Sequence, residues 1–118
     1  MFEKYVGAWL QKNMRDTKFG PIPEIGAASV LIDDSATINA FQVEDSISIV
    51  CSFVGKSDAA KVCDSIRKIF PLLEHENGIN RVFVDNVSAS IVNQPKQWQY
   101  SISVRILHRS DFEWGDSE

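Results

Sequence analysis

Gln97-Trp98-Gln99-Tyr100-Ser101-Ile102-Ser103-Val104-Arg105-Ile106 places Trp98, Tyr100, Ile102, Val104 and Ile106 at every second position, with polar residues between them. Successive side chains of a strand point to opposite faces, so this period predicts a strand with one aromatic and aliphatic face and one polar face. Such a strand needs neighbours in a sheet and a second layer over its apolar side. Val43 to Val54 repeats the pattern, with Ile47, Ile49, Cys51 and Phe53 alternating with Ser46, Ser48, Val50 and Ser52.

The covering layer is legible on either side of that second strand. Phe2, Tyr5, Val6, Trp9, Leu10 and Met14 recur at spacings of three and four, which predicts an amphipathic helix. Gly7 within it costs about 1 kcal/mol relative to Ala, so this helix depends on docking. After Gly55-Lys56-Ser57, a second stripe of Val62, Ile66, Ile69, Phe70 and Leu73 predicts another helix. Ser57 is the expected N-cap, Asp58 suits the positive amino end, and Pro71 should kink or stop the last turn.

Between these elements the chain is punctuated. Asp16 to Gly26 holds Gly20, Pro21, Pro23 and Gly26 and reads as a loop. Ala27 to Ile32 reads as a short strand, Asp33-Asp34-Ser35 as a turn and Ala36 to Phe41 as a further strand. Glu74 to Asn80 is a turn, followed by Arg81 to Asp85 and Val87 to Val92 as two short strands or one bent strand. Asn93 to Lys96, with Pro95, turns the chain once more. The expected fold is α+β: an antiparallel or mixed sheet of four to six strands with two helices packed on one face, in the order α-β-β(-β)-α-β-β(-β). Residues 1–110 form one domain, and 111–118 form an acidic tail carrying Asp111, Glu113, Asp116 and Glu118.

Composition narrows the function. In 118 residues, hydrophobic residues make up 44% and charged residues 24%, ordinary for a self-sufficient globular core. Twelve Lys and Arg against sixteen Asp and Glu give a net charge of −4, and the basic residues are scattered. A nucleic-acid surface needs a basic stripe to neutralise phosphates, so sequence-specific nucleic acid binding is not expected. Cys51 and Cys63 read as buried thiols of a reducing compartment, and the short apolar run Val6 to Leu10 is neither a signal core nor a membrane span.

No catalytic, cofactor-binding or metal site is expected. His75 and His108 are the available imidazole bases, and no nucleophile is placed beside either in sequence. Glu74-His75-Glu76 could touch a metal, but adjacent residues rarely aim at one ion, and an exposed acidic turn is the simpler reading. Asp33-Asp34 and Glu44-Asp45 are neighbours whose side chains diverge. Gly55-Lys56-Ser57 lacks the upstream glycine of a phosphate loop, because Val50 stands there. The residues that point to function concern surfaces. Ser46, Ser48 and Ser52, with Ser101 and Ser103, would share a small, polar and nearly uncharged outer sheet face, either an ordinary wet face or one covered by another subunit. Phe112 and Trp114 in the acidic tail either fold back on the domain or dock on a neighbouring chain.

The ordering of the amphipathic start Phe2 to Met14, the Pro/Gly loop, Ile47-Ser48-Ile49-Val50, the helix Asp58 to Leu73 and the late Trp98 to Val104 resembles the small minor capsid or tail-terminator proteins of tailed bacteriophages. The resemblance covers most of the chain and rests on ordering more than on a signature. It implies a non-enzymatic structural virion protein, synthesised in the host cytoplasm and placed at the head–tail junction. There it would form a homo-oligomeric ring, typically a hexamer, that stops tail-tube polymerisation and joins tail to head. Its implied partners are itself, the tail-tube protein and a head-completion or connector protein, around a channel that passes DNA without reading it. The alternative from another class is a small dimeric ligand-binding or regulatory α+β domain of ferredoxin-like type, whose strand–helix–strand order fits the leading helix poorly.

Overall fold

The computed structural model describes residues 2–20, 24–93 and 96–110. Helix α1 spans Phe2–Asn13, strands β1, β2 and β3 span Lys18–Gly20, Ala27–Asn39 and Gln42–Phe53, and helix α2 spans Lys56–Ile69. A 3-10 helix, Phe70–His75, leads into β4, Ile79–Asn93, and β5, Lys96–Arg109. The five strands form one mixed sheet in the order β1-β2-β3-β5-β4, with β1 parallel to β2 and all other pairs antiparallel. The fold is therefore α+β with two helices, in the order expected from the sequence.

Both helices lie on one face. Val6 and Leu10 of α1 and Cys63 and Ile66 of α2 meet Val30, Ile47, Ile49, Cys51, Ile102, Val104 and Ile106 of the sheet in a single core, closed by Phe70 and Leu73. Trp9 and Phe70 meet edge to face, with centroids 6.4 Å apart and planes at 88°, which locks α1 against the end of α2. The buried period of β5 runs Ile102, Val104, Ile106, His108. Tyr100 is half-buried against the core, and Trp98 lies at its margin beneath the Lys56 ammonium, 4.9 Å from its ring centroid.

Four local expectations are corrected. The loop predicted from Asp16 to Gly26 contains β1, too short to show a period. It is held by Gln11, whose amide donates to Thr17 O at 2.8 Å and accepts from Phe19 N at 3.1 Å. Asp33-Asp34-Ser35 is not a turn: β2 continues through it with a register shift between Ile32 and Asp34, so the extra residue is absorbed as a bulge. The strands expected separately at Ala27 to Ile32 and Ala36 to Phe41 are therefore one, ending at Asn39. The chain reverses instead at Ala40-Phe41, where Asn39 Oδ1 accepts Phe41 N at 2.8 Å. Ser57 is not the cap of α2. Gly55 occupies that place with extended backbone, Ser57 lies inside the helix, and Asp58 is in the first turn as expected.

Two further expectations match, while the turn expected from Glu74 to Asn80 narrows to the residues between the 3-10 helix and β4. Pro71 falls where α2 gives way to the 3-10 helix, and Arg81 to Val92 is the bent-strand option, one strand with a register shift between Val84 and Asn86. The turn expected at Asn93–Lys96 lies partly outside the described residues, and the tail 111–118 lies wholly outside them. Long strands make the molecule 45 × 24 × 22 Å, so the helices cover only part of the sheet. Side chains of β2 beyond Leu31 and of β4 from Asp85 to Ile91 are exposed.

Candidate functional site

Adjacent strand residues face opposite ways, and Glu44 and Asp45 show the consequence. Asp45 turns inward, where Oδ2 lies 2.8 Å from His108 Nε2, and both side chains are 4% exposed. The other ring nitrogen, Nδ1, lies 2.8 Å from Arg109 O. A carbonyl and a carboxylate both only accept, so the ring satisfies the two together when both nitrogens carry protons. Burial pushes the Asp45 carboxyl up, but hydrogen bonds from His108 and Ser35 and the charge of His108 outweigh it and hold Asp45 below the usual carboxylate value. Oδ1 has no hydrogen-bond partner among the described residues.

Aspartate and histidine form the orienting half of a nucleophilic triad only when one ring nitrogen is left to take the nucleophile's proton. Here both nitrogens are engaged and the pair is closed off from solvent, so the arrangement is a buried hydrogen-bonded clamp between β3 and β5. The sequence points to neither partner: Asp45 stands there as one of two neighbouring carboxylates whose side chains diverge, and His108 as an imidazole with no nucleophile beside it. The available signal was the period of β5, which extends from Ile106 to His108 and places an imidazole in the core phase.

Glu44 faces the other way, toward Arg105. Arg105 donates to Asp85 at 2.8 and 3.0 Å and to Glu44 at 3.4 Å, and its guanidinium stacks on Phe83 with the central carbon 4.5 Å from the ring centroid. Hydrogen bonding to Arg105 holds Asp85 below the usual carboxylate value, and the same bond raises Arg105. Above this network Ser46, Ser48, Ser101 and Ser103 come together. Ser48 lies directly opposite Ser103, Ser46 opposite Arg105, and Ser101 opposite both Val50 and Ser88. All four are half-buried, and Ser48 donates to Asp33 at 2.5 Å. The face is thus small and polar at the serines, but it is not nearly uncharged as expected: Asp33 reaches Ser48, and Glu44, Arg105 and Asp85 form a charged network at one end. Near its other end Ser29 and Ser52 are buried, and their hydroxyls have no partner among the described residues. Phe112 and Trp114, the remaining predicted surface residues, lie outside the described residues.

The other candidates separate. Glu74 accepts the Val82 amide at 2.8 Å, Glu76 faces the Tyr5 hydroxyl at 3.4 Å, and His75 is exposed between them, so the three do not converge. Among the described residues no group of three His, Cys, Asp or Glu side chains could hold a metal ion. Burial, with Cys63 nearby, pushes the Cys51 thiol up to about 12, and burial also raises Cys63. A cleft of about 330 Å³ opens between the end of α1 and α2, lined by Met14, Arg15, Lys61, Val62 and Ile69 among others, and its lining has no imidazole or thiol. No known family model matches the chain, and no curated protein sequence matches it.

Proposed function

We propose that the chain is a structural virion protein of a tailed phage or prophage, not an enzyme, and that it forms a hexameric ring that ends tail-tube growth and joins tail to head. The observation that supports this most directly is the long sheet with both helices on one side. Its other face carries Ser46, Ser48, Ser101 and Ser103, and no described helix lies over it. A sheet face of small side chains gives a neighbouring subunit a flat surface with little side-chain entropy to lose, and a heterologous contact of that kind closes into a ring when its rotation closes. The Asp45–His108 clamp and the Arg105 network stiffen the strands that carry the face.

The test is the solution mass of the purified chain across concentration by multi-angle light scattering, with negative-stain imaging. Ring particles with a mass near six copies support the reading. A dimer that is stabilised against heat by a small molecule supports the ligand-binding alternative instead.

A further inference from the structure

The two edges of the sheet are built differently. Beyond the three residues of β1, the outer edge of β2 carries Asp33 and Asp34 and is interrupted by register shifts at Ile32/Asp34 and Thr37/Asn39. Charges and bulges of this kind blunt an edge against pairing. On β4, the first half is closed by the 3-10 helix, where Glu74 takes the Val82 amide. From Asn86 to Val92 the register is unbroken, no residue is charged or proline, and the side chains from Asn86 to Ile91 are exposed. Among the described residues nothing pairs with the outer side of this segment.

The alternation of the ladder says which main-chain groups are open. The Val82 amide points away from β5, and the pairings Val84 with Val104 and Asn86 with Ser103 carry the alternation past the bulge. It leaves the N–H and C=O of Val87, Ala89 and Ile91 directed outward. The sequence there, Val87-Ser88-Ala89-Ser90-Ile91, reads alike in both directions: apolar, Ser, Ala, Ser, apolar.

We propose that this segment is a two-fold pairing edge whose partner is β4 of a second copy, antiparallel and centred on Ala89. In that register Ala89 faces its own counterpart, Val87 faces Ile91 of the second copy, and Ser88 faces Ser90. Within Val87 to Ile91 every apolar side chain meets an apolar one and every serine meets a serine; at each end Asn86 faces Val92, and no like charges oppose each other. An isologous contact requires self-complementarity of this sort, whereas pairing with the acidic, bulged edge of β2 would set uncharged β4 against Asp33 and Asp34. The inference stands apart from the ring reading, since a two-fold contact and a ring contact use different surfaces.

Ser88 and Ser90 belong to non-hydrogen-bonded positions of the proposed pair, where opposed Cα atoms lie about 4.5 Å apart, within disulfide range. The native thiols, Cys51 and Cys63, are buried and give little background. Ser88→Cys and Ser90→Cys are made as separate full-length variants, mixed in equal amounts, allowed to exchange and mildly oxidised. The expected result is a covalent dimer of twice the 13.3 kDa chain mass in the mixture and little in either variant alone, because in this register neither introduced thiol faces its own counterpart. Ser88→Lys with Ser90→Lys sets lysines against each other and should halve the scattering mass while leaving circular dichroism unchanged. A mixture that cross-links no better than its components overturns the register. A wild-type mass of one chain at every concentration overturns the pairing itself, and a ring that forms without the mixed cross-link does so while leaving the ring reading intact.

Discussion

Removing His108 should be much more damaging than removing its partner, and the difference should depend on pH in a way that a packing defect would not. His108→Leu leaves the Asp45 carboxyl 4% exposed with its main partner gone. The carboxyl can remain ionised and desolvated, or it can take a proton. The second route sets a ceiling: raising a carboxyl from about 3.9 to pH 7 costs about 1.36 kcal/mol per unit, or about 4 kcal/mol. Breaking one side of a buried pair costs about 3 to 5 kcal/mol in general, so His108→Leu is expected to lose about 3 to 4 kcal/mol at pH 7. In Asp45→Asn, the amide oxygen still accepts from Nε2 and no buried carboxylate is left behind, so the loss is nearer about 1 kcal/mol. Urea unfolding of both variants at pH 7 and pH 5 measures this. The Asp45 carboxyl is held below its usual value in the native protein, so its contribution is present above the unfolded value and fades as pH falls toward the folded one. In His108→Leu the same carboxyl is pushed upward, so acid relieves the variant, and its deficit should shrink toward about 1.5 kcal/mol at pH 5. Equal losses for the two variants, or a His108→Leu deficit independent of pH, would refute the buried Asp45–His108 pair.

Gly7→Ala should stabilise the protein by about 0.5 to 1 kcal/mol in the same assay, because the added Cβ meets Val30 Cγ2 at an ordinary 3.9 Å and the helix loses a flexible residue. Glu74→Ala frees the Val82 amide at the junction of the 3-10 helix and β4 and should cost about 1 kcal/mol, with faster hydrogen exchange at Val82. Cys51, buried with its thiol pushed up to about 12, should resist a thiol reagent at pH 8 in the native protein and react at once in denaturant; rapid native labelling would contradict its place in the core.

How much of this was legible in the sequence follows from where each element gets its order. α1, β3, α2 and β5 carry their own periods, because each buries one face against a neighbour, and the structure has all four, although α2 ends at Ile69 and not Leu73 and β5 runs past Ile106 to Arg109. β1 has no period of its own. It exists because Gln11 of α1 supplies a donor and an acceptor to the backbone at Thr17 and Phe19, a tertiary event that composition hides. Asp33-Asp34-Ser35 has the chemistry of a turn, but twelve-residue β3 offers a ladder long enough to carry β2 through it, and a bulge costs less than leaving that ladder unpaired. The serine face was readable because alternation fixes side-chain direction. The Asp45–His108 clamp was not, because it joins residues 63 apart and depends on the β3–β5 register.

The two proposals about assembly meet in one quantity and separate in another. Six copies can be arranged as a ring with a single heterologous contact, or as three β4-paired dimers joined by a second contact, and light scattering gives both the same mass. In the plain ring every β4 edge is equivalent but none faces another, so mixing Ser88→Cys with Ser90→Cys produces no specific cross-link. In three joined dimers each β4 lies against its counterpart, and oxidation yields covalent pairs within an unchanged particle. The distinction bears on function as well. A ring that caps a tube needs two different ends, one matching the tube and one refusing further growth, whereas two-fold axes across the particle would make its ends identical. A six-copy particle that cross-links through β4 is therefore not by itself the form that terminates a tail. To expose two unlike ends, it would have to open its β4 contacts on meeting the tube, and the cross-linked particle should then fail to cap while its reduced form succeeds.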